Sequence, residues 1–257
     1  MFTSERQKQI LELARSEGSI FVDDISARFK VTPQTIRADL RELANLGKLA
    51  RFHGGAYIED GKTNVEYESR RQIAAAEKMA IGIAAAKLVP NNSSLFINIG
   101  TTTEAFSNAL TDHSGLMIVT NNINVANILR LSHANEVIIA GGVVRASDGG
   151  VVGETAVDFI KQFKVDNAVI GSSAIDTDGG LLDFDFREVK VAQAIMENAR
   201  NVILIADSTK LHRVASVRIG HISQVNILVT DRIVDQDFRA TCAEAGVRVV
   251  ETYLSEI

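Results

Sequence analysis

The chain contains one cysteine, Cys242, two prolines and no tryptophan among its 257 residues. A single cysteine cannot form an internal disulfide, and it excludes a metal cage built from cysteines alone. No apolar run approaches the roughly 20 residues that a membrane-spanning helix needs, and the first residues lack the apolar core of a signal peptide. Low-complexity tracts and internal repeats are also missing. These absences predict a soluble cytoplasmic protein.

Length and charge predict two domains, which differ in size and in net charge. With 257 residues, 46% of them apolar, the chain suits one small domain and one of ordinary size. Residues 1–58 hold nine basic and seven acidic side chains, whereas the whole chain holds 27 basic and 32 acidic ones. A basic head on an acidic body is consistent with a head that binds DNA. The polar segment EDGKTN marks the boundary, so we expect a head of residues 1–58, a linker of 59–76 and a body of 77–257.

The segment VTPQTIRADLREL, residues 31–43, predicts a short helix with a well-defined start. Thr32 can cap its N-terminus, and Pro33 falls at the first helical position, where a backbone N–H is not needed. Ile36 begins an apolar stripe that recurs once per turn, and amide, hydroxyl and guanidinium groups lie away from it. Such a helix suits the DNA major groove, although an ordinary amphipathic surface helix has the same pattern. The candidate DNA contacts on this helix are Thr32, Gln34, Thr35, Arg37 and Arg41.

The neighbouring segments complete a recognisable motif. Ser4 and Gln7 have the spacing of a capping box for a first helix that should end at Gly18, and Asp23 can cap a second helix. Residues 49–58, LARFHGGAYI, form two β-prone runs around a Gly–Gly pair, which predicts a hairpin. Three helices followed by a hairpin predict a winged helix-turn-helix.

The predicted wing carries two further candidate DNA contacts, Arg51 and His53. Wing residues of this kind usually contact phosphate or the minor groove, so they position the recognition helix rather than read the sequence. His53 could instead be an ordinary surface residue of a turn.

The rest of the chain alternates amphipathic helices with short, apolar, β-branched runs. This pattern predicts a mostly parallel sheet covered by helices on both faces, and such sheets bind ligands at the carboxyl ends of their strands. The predicted strands are Leu95–Ile99, Met117–Thr120, Val137–Ala140, Ala168–Ile170, Val202–Ala206, Ile227–Thr230 and Val247–Val250.

Polar residues and glycines follow several of these strands. One strand leads through Gly100 directly into a helix, whose free N–H groups and positive dipole end favour an anion such as phosphate. The threonines there could equally be ordinary helix caps, and the sequence matches neither a Walker loop nor GxGxxG. Lys210 would hold the phosphate as a point charge, and Asp207 could hold that lysine or accept a ligand hydroxyl. The other candidates are Thr101, Thr102, Thr103, Asn121, Gly141, Gly142, Arg145 and Glu154.

The segment DFDFRE, residues 183–188, admits more than one interpretation. Its two aspartates could form a metal site or an acid–base pair, but the five histidines show no ligand spacing. We expect the phenylalanines to pack and the acids to face solvent or a ligand hydroxyl. No metal is therefore expected.

Taken together, these motifs resemble the DeoR family of bacterial transcriptional repressors. The resemblance rests on VTPQTIRADLREL and RFHGGA in the head and on FINIGTTTEA, VTNNINVAN, AGGVVRASDGGVVGE, LLDFDFREVK and ADSTK in the body. It covers about residues 3–252. It implies a body with the fold of ribose-5-phosphate isomerases and glucosamine-phosphate deaminases, which senses a phosphorylated sugar or polyol and thereby loosens operator binding. DGGVVGE and LLDFDFREVK favour a member that senses glycerol 3-phosphate.

The resemblance also implies roles for single residues. The loop that starts at Gly100 would bind phosphate, Lys210 and Asp207 would be the sensing pair, and Lys78 matches a further lysine implicated in the effector response. Asn98 stands where the family commonly has Asp. This difference could change how a ligand hydroxyl is held, or favour a more anionic ligand.

Two alternatives to an effector-sensing repressor follow from the same motifs. A sugar-phosphate isomerase or deaminase needs a positioned carboxylate base, and the acid-rich and glycine-rich segments of those enzymes are missing. A DNA-binding protein with a merely structural body would not need polar loops at so many strand ends. We therefore expect a non-enzymatic repressor without a cofactor, whose partners are double-stranded operator DNA and a small phosphorylated metabolite. Because one small head would bind weakly, we also expect a homo-oligomer, dimer or tetramer.

Overall fold

A computed structural model describes residues 4–58, 67–132, 134–211 and 213–252 of the chain. The chain divides into two compact units, Met1–Ala75 and Ala76–Ile257. The boundary segment predicted at 59–64 lies outside the described residues.

The first unit is a winged helix-turn-helix followed by a short helix. Strand β3 pairs antiparallel with both β1 and β2, so the wing is a three-stranded sheet in which the predicted hairpin forms two strands. The short helix α4 belongs to this unit, because Ser69 is buried and its hydroxyl lies 2.7 Å from that of Ser19. The elements are α1 (Glu5–Glu17), β1 (Ser19–Phe21), α2 (Val22–Phe29), α3 (Pro33–Asn45), β2 (Ala50–Phe52), β3 (Gly55–Tyr57) and α4 (Tyr67–Gln72).

The helix starts on α1 and α3 follow the predicted capping patterns. Ser4 and Gln7 form a reciprocal capping box, and α1 ends at Gly18, whose φ of 76° suits glycine. Thr32 accepts a hydrogen bond from the backbone N–H of Thr35 at the start of α3.

The prediction that Asp23 caps α2 was wrong. Helix α2 begins at Val22, two residues earlier than a cap at Asp23 would place it, with Phe21 at the cap position and no side-chain hydrogen bond there. The physical reason is a contact with the wing, because the backbone N–H of Val22 donates to the carbonyl of Gly54 at 2.8 Å. Asp23 lies instead in the first turn, where a negative charge favours the helix dipole.

Helix α3 is fixed by an apolar stripe and by a buried ion pair. Ile36, Leu40 and Leu43 are at most 1% exposed, which confirms the predicted stripe. Asp39 is 7% exposed, although it is charged. It accepts hydrogen bonds from Arg6 Nε at 2.6 Å and from Gln7 Nε2 at 3.4 Å. These contacts tie α3 to α1.

The second unit is a parallel α/β domain, in which each of the seven predicted strands is present. The strands form one sheet in the order β15-β14-β12-β9-β4-β5-β6, with every neighbouring pair parallel. The elements are α5 (Ala75–Ala86), β4 (Ser94–Ile97), α6 (Thr101–Ala109), β5 (Met117–Thr120), α7 (Ile123–Leu129), β6 (Glu136–Ile139), β7 (Val143–Val144), β8 (Val151–Val152), α8 (Glu154–Ile160), β9 (Val165–Ile170), β10 (Ala174–Ile175), β11 (Gly180–Asp183), α9 (Phe186–Glu197), β12 (Ala199–Ile205), β13 (Val217–His221), β14 (Ile227–Thr230), α10 (Gln236–Glu244) and β15 (Arg248–Glu251).

The strand order creates a switch point between β4 and β9. The chain runs outward from β4 through β5 to β6, and then returns to β9 on the other side of β4. From β9 it runs outward again through β12, β14 and β15. The loops after β4 and β9 therefore leave the sheet in opposite directions, which opens a crevice at the carboxyl ends of these strands.

Apolar cores lie on both faces of the sheet. Phe96 packs in the core that includes residues of α8 and α9, whereas its neighbours Leu95 and Ile97 pack in the core that includes residues of α5 and α6. The alternation along β4 is the pattern of a strand covered on both faces. Strands β10, β11 and β13 form a small antiparallel sheet, and β7 and β8 form a hairpin, neither of which we predicted. Within the described residues, no helix is long and apolar enough to cross a membrane.

The ion pair between α1 and α3 yields a first test. Replacing Asp39 with Ala should lower the stability of the first unit by on the order of 1 kcal/mol, because Arg6 and Gln7 lose a common acceptor. Hydrogen exchange at the amides of α1 and α3 in the full chain would measure this change. The control is Glu12→Ala, an exposed residue on α1. Equal protection in the two variants would contradict the role of Asp39.

Candidate functional site

The predicted DNA contacts lie on the solvent-facing side of α3 and on the wing. Thr35 is half-buried, and its hydroxyl oxygen lies 2.9 Å from that of Thr32. The remaining six candidates are exposed, namely Thr32, Gln34, Arg37, Arg41, Arg51 and His53. The structure thus presents them as a polar surface opposite the buried stripe, and their contact with DNA stays a prediction.

The loop after β4 carries the predicted phosphate site to the switch point. Gly100 caps α6 with a φ of 152°, without a side-chain hydrogen bond to the helix start. Thr103 donates its hydroxyl hydrogen to the carbonyl of Gly100 at 2.7 Å, so this threonine acts within the helix, and it is fully buried. Thr102 is also buried, whereas Gly100 and Thr101 are half-buried. The part of the loop that reaches solvent is therefore Gly100 and Thr101.

A buried carboxylate, Asp207, lies two strands from β4, at the end of β12. Its side chain accepts hydrogen bonds from the backbone N–H and the hydroxyl of Thr209. Burial alone would raise the pKa of Asp207, but the positive charges of Lys210 and Lys78 lower the pKa below its usual value. The Asp207 Oδ2 atom has no hydrogen-bond partner among the described residues. The structure therefore brings two predicted site residues, Lys78 and Lys210, close to a third, Asp207, whose Oδ2 atom is free to accept a hydrogen bond from a ligand.

Two asparagines follow the central strands and are almost fully buried. Asn98 is 2% exposed, and its Oδ1 accepts from the backbone N–H of Ile99 at 2.7 Å. Asn121 is fully buried, and its Nδ2 donates to the carbonyl of Val151 at 3.1 Å. The Oδ1 atom of Asn121 has no partner within the described part of the chain. Asn121 therefore offers a second unused acceptor.

Three other predicted residues lie farther out on the sheet. Gly141 and Gly142 are exposed and follow β6, which is separated from β4 by β5. Glu154 is exposed at the start of α8, where it accepts from Lys190 Nζ at 2.7 Å. The role of these three residues in binding remains a prediction.

Arg145 is engaged by three carboxylates. Its Nε and Nη2 donate to the two oxygens of Asp148 at 2.8 and 2.6 Å. Its Nη1 donates to Asp185 at 3.1 Å, and Nη2 also donates to Glu188 at 2.5 Å. These bonds use four of the five N–H donors of the guanidinium group. Arg145 therefore joins the loop after β7 to the start of α9 and has little capacity left for a ligand.

The acids around Arg145 are perturbed in opposite directions. Hydrogen bonds from Arg187 and Arg145 lower the pKa of Asp185 well below its usual range. Burial, together with the negative charges of Asp183 and Asp148, raises the pKa of Glu188 to about 7, although Arg145 opposes this rise. The cluster therefore contains a carboxyl group that titrates near neutral pH.

Part of the expectation for residues 183–188 was wrong. Phe186 is 61% exposed rather than packed, whereas Phe184 packs partly buried against a small apolar cluster. Asp185 does not face solvent, because it caps α9 and pairs with Arg145 and Arg187. The described residues contain no group of three or more His, Cys, Asp or Glu arranged to hold a metal ion.

Sequence patterns did not single out Glu104, a polar residue that closely follows the loop after β4. Glu104 is buried on α6 and accepts from the side chains of Asn122 and Asn124. Asp148 is buried as well, with its side chain on Arg145. A carboxylate in the first turn of a helix is a common local pattern, so only its burial distinguishes Glu104 from a solvent-facing residue.

Two protein-family models match the sequence of this chain. A model described as the DeoR-like helix-turn-helix domain matches residues 6–62. A second, described as the DeoR C terminal sensor domain, matches residues 73–232. The chain belongs to the DeoR family. It is a DeoR-family transcriptional repressor, with the DNA-binding unit first and a sensor domain after it.

Curated relatives of this DeoR-family repressor are themselves named as repressors. The glycerol-3-phosphate regulon repressor of Escherichia coli is 44% identical over 231 residues, which cover 90% of this chain and 92% of the relative. That of Haemophilus influenzae is 45% identical over 230 residues, or 90% of each chain. The E. coli repressor CsqR is 36% identical over 245 residues, covering 95% and 94%.

Solved structures with a partial likeness to the repressor are distant in sequence. Ribose 5-phosphate isomerase A from Neisseria gonorrhoeae is 15% identical, with a TM-score of 0.39 over 54% of this chain and 53% of its own. The eIF2B delta subunit from Chaetomium thermophilum is 13% identical, with a TM-score of 0.46 over 60% and 55%. These overlaps carry no functional conclusion.

The raised pKa of Glu188 generates a test of the Arg145 cluster. The unfolded chain releases this proton near pH 4.5, whereas the folded repressor holds it until about pH 7. The stabilisation from the bound proton is therefore complete below pH 4.5 and is lost as pH rises through 7. Relative to Glu188→Gln, wild type should lose up to about 3 kcal/mol of unfolding free energy between pH 4.5 and 8.

Denaturant unfolding across that pH range would measure the difference. Glu197→Gln, an exposed residue on the same helix, is the matched control and should keep the pH dependence of wild type. A constant difference between wild type and Glu188→Gln would show that Glu188 is ionised throughout.

Proposed function

We propose that this repressor binds operator DNA through α3 and the wing, and that glycerol 3-phosphate, bound in the sensor domain, releases it. In this proposal residues 1–58 form the DNA-binding head, 59–76 the link and 77–257 the sensor. Operator DNA and a metabolite as partners imply a cytoplasmic protein without a catalytic step or a cofactor. Paired heads on a palindromic or repeated site would require a homo-oligomer, dimer or tetramer.

The observation that carries the effector proposal is the buried group around Asp207. Asp207 is ionised, and the charges of the two nearby lysines compensate its negative charge. The carboxylate in turn allows positively charged lysines to be present in the interior. A phosphate that enters here gains the charges of Lys78 and Lys210 and the free N–H groups at the start of α6. An uncharged sugar or polyol would gain neither.

The hydroxyl groups of the effector would use the unpaired acceptors. Asp207 Oδ2 and Asn121 Oδ1 have no hydrogen-bond partners within the described residues, and both atoms are buried. A hydroxyl donates to such acceptors, whereas a carbonyl or a second phosphate oxygen does not. Glycerol 3-phosphate has hydroxyl groups beside its phosphate, so it can supply a donor of this kind.

The relatives support the same effector. Two proteins that are 44% and 45% identical to this chain are named repressors of the glycerol-3-phosphate regulon. The alternative is that this repressor senses a different sugar phosphate, as a member of the DeoR family could. The release itself needs the ligand to bind the DNA-free arrangement better, by about 1–3 kcal/mol for a typical allosteric protein.

A ligand panel tests the effector. Glycerol 3-phosphate should raise the melting temperature of the full chain and lower its affinity for operator DNA, whereas glycerol and common pentose and hexose phosphates should do neither. Lys210→Ala should still bind the operator but should lose the response to glycerol 3-phosphate, because the phosphate loses a partner. Lys87→Ala removes an exposed lysine on the segment after α5 and is the matched control.

The panel has clear contrary outcomes. A response to a hexose or pentose phosphate in place of glycerol 3-phosphate would support the alternative effector. Normal release of Lys210→Ala by glycerol 3-phosphate would remove this lysine from the site.

The DNA-binding face has its own test. Arg37→Ala should weaken operator binding by about 1–3 kcal/mol if the guanidinium reads a base, and it should leave glycerol 3-phosphate binding unchanged. Fluorescence anisotropy with an operator duplex at fixed salt measures the first quantity, and calorimetry the second. Arg15→Ala, an exposed arginine on α1, is the control. An Arg37→Ala variant with the operator affinity of wild type would show that the recognition surface lies elsewhere.

A further inference from the structure

The first turns of α6 contain a buried carboxylate that the proposed effector contacts do not use. Glu104 is 8% exposed, and its backbone N–H donates to the carbonyl of Gly100 at 3.1 Å. Its Oε1 atom accepts from Nδ2 of Asn122 at 3.3 Å and from Nδ2 of Asn124 at 3.0 Å. A negative charge close to the helix end that would receive an anion opposes binding. Glu104 would therefore weaken anion binding through its charge, unless it also supports the site in another way.

The asparagines that hold Glu104 are fixed in turn by the loop between β7 and β8. The Nδ2 atom of Asn124 also donates to the carbonyl of Asp148 at 3.0 Å. The backbone N–H of Ile123 donates to the carbonyl of Gly149 at 3.1 Å. This loop therefore anchors the start of α7, from which Glu104 receives its hydrogen bonds.

The same loop packs directly on the residue before Gly100. A Cβ atom added to Gly150 would lie 2.5 Å from Cδ1 of Ile99, so the loop backbone and this side chain are in close contact. The backbone of Gly150 also forms an isolated antiparallel bridge with Asn122. The loop thus contacts both the phosphate loop and the segment that holds Glu104.

Arg145 fixes the far end of this arrangement. It binds both carboxylate oxygens of Asp148 and reaches Asp185 and Glu188 at the start of α9. Its side chain is only 18% exposed. A continuous set of hydrogen bonds therefore runs from α9 through Arg145, Asp148 and Asn124 to Glu104.

We propose that Glu104 is a positioning residue of the effector site, which holds the first turn of α6 at the end of the hydrogen-bond chain that Arg145 anchors on α9. The inference rests on the proposed function, since it takes the start of α6 as the phosphate site. Glu104 does not contact the effector. It acts through Asn122 and Asn124, which fix the direction of the N–H groups at the helix start.

Charge and position make opposite predictions for Glu104. If the carboxylate acted on the effector through its charge, both Glu104→Gln and Glu104→Ala would tighten phosphate binding, because repulsion is lost. If it acts by position, Glu104→Gln keeps an Oε1 acceptor for the asparagines and binds like wild type. Glu104→Ala removes the acceptor and should weaken glycerol 3-phosphate binding by about tenfold.

Calorimetry on the full chain with glycerol 3-phosphate measures these affinities, and the operator affinity without effector is recorded beside them. Asn108→Ala is the matched control, because Asn108 is exposed one turn farther along α6 and its side chain donates to the backbone carbonyl of Glu104 rather than to its carboxylate. A Glu104→Ala variant that binds as tightly as wild type would overturn the proposal. So would a Glu104→Gln variant as weak as Glu104→Ala.

A double-mutant cycle tests the series of hydrogen bonds at its other end, which is Arg145. Arg145→Gln should also weaken effector binding, and the double variant Glu104→Ala, Arg145→Gln should be little weaker than either single variant, because both break one chain. Independent, multiplying losses would instead indicate that Arg145 acts on the effector separately, and would contradict the proposed chain.

Hydrogen exchange separates this proposal from the proposed function. Without effector, amides in residues 98–108 should exchange faster in Glu104→Ala than in wild type, and Glu104→Gln should restore protection. If wild type does not bind glycerol 3-phosphate, the proposed effector is wrong, and exchange still decides the role of Glu104. Unchanged exchange in Glu104→Ala would overturn the positioning role whichever effector binds.

Discussion

A buried carboxylate is stable in its charged form only with positive charge close by, and the sensor domain is organised around such a group. Asp207 is 1% exposed at the end of β12, near two lysines that come from distant parts of the chain. Lys210 lies three residues away, whereas Lys78 lies on α5, before the first strand of the sheet. The fold therefore brings a lysine of the first helix of this unit close to a carboxylate at the end of β12.

The other buried charges also need compensation, and the structure compensates each of them in a different way. Asp39 is paired by Arg6, and the pair joins two helices of the head. Arg145 is paired by three acids, and burial, together with the charges of Asp183 and Asp148, raises the pKa of one of them, Glu188, to about 7. Glu104 accepts hydrogen bonds from the side-chain amides of Asn122 and Asn124. A buried charge whose hydrogen bonds are all formed holds the elements that carry it rigidly together. Asp207 differs, because its Oδ2 atom has no hydrogen-bond partner among the described residues and can accept one from a ligand.

Local patterns in the sequence were sufficient for the fold and for part of the site. The caps at Thr32 and Ser4 and the strands of the sheet depend on residues a few positions apart, and each was predicted. The start of α2 was not, because it depends on a hydrogen bond from Val22 to Gly54 in the wing. Asp148 lies three residues from Arg145, but its other two partners, Asp185 and Glu188, lie 40 and 43 residues away, so no local spacing could reveal them. The resemblance to a family supplied Lys78, which composition and periodicity do not single out.

Selectivity for one phosphorylated metabolite cannot come from the phosphate alone, because a helix start and two lysines bind any phosphomonoester. Leaving a buried acceptor without a donor costs about 1–3 kcal/mol, so a ligand that supplies the donor gains that amount over one that does not. Asp207 Oδ2 and Asn121 Oδ1 are two such acceptors. Under the proposed function, a polyol phosphate supplies hydroxyl donors to such acceptors, whereas a fully ionised phosphate group supplies none. The proposal therefore assigns affinity to the positive charges and part of the selectivity to buried acceptors such as Asp207 Oδ2.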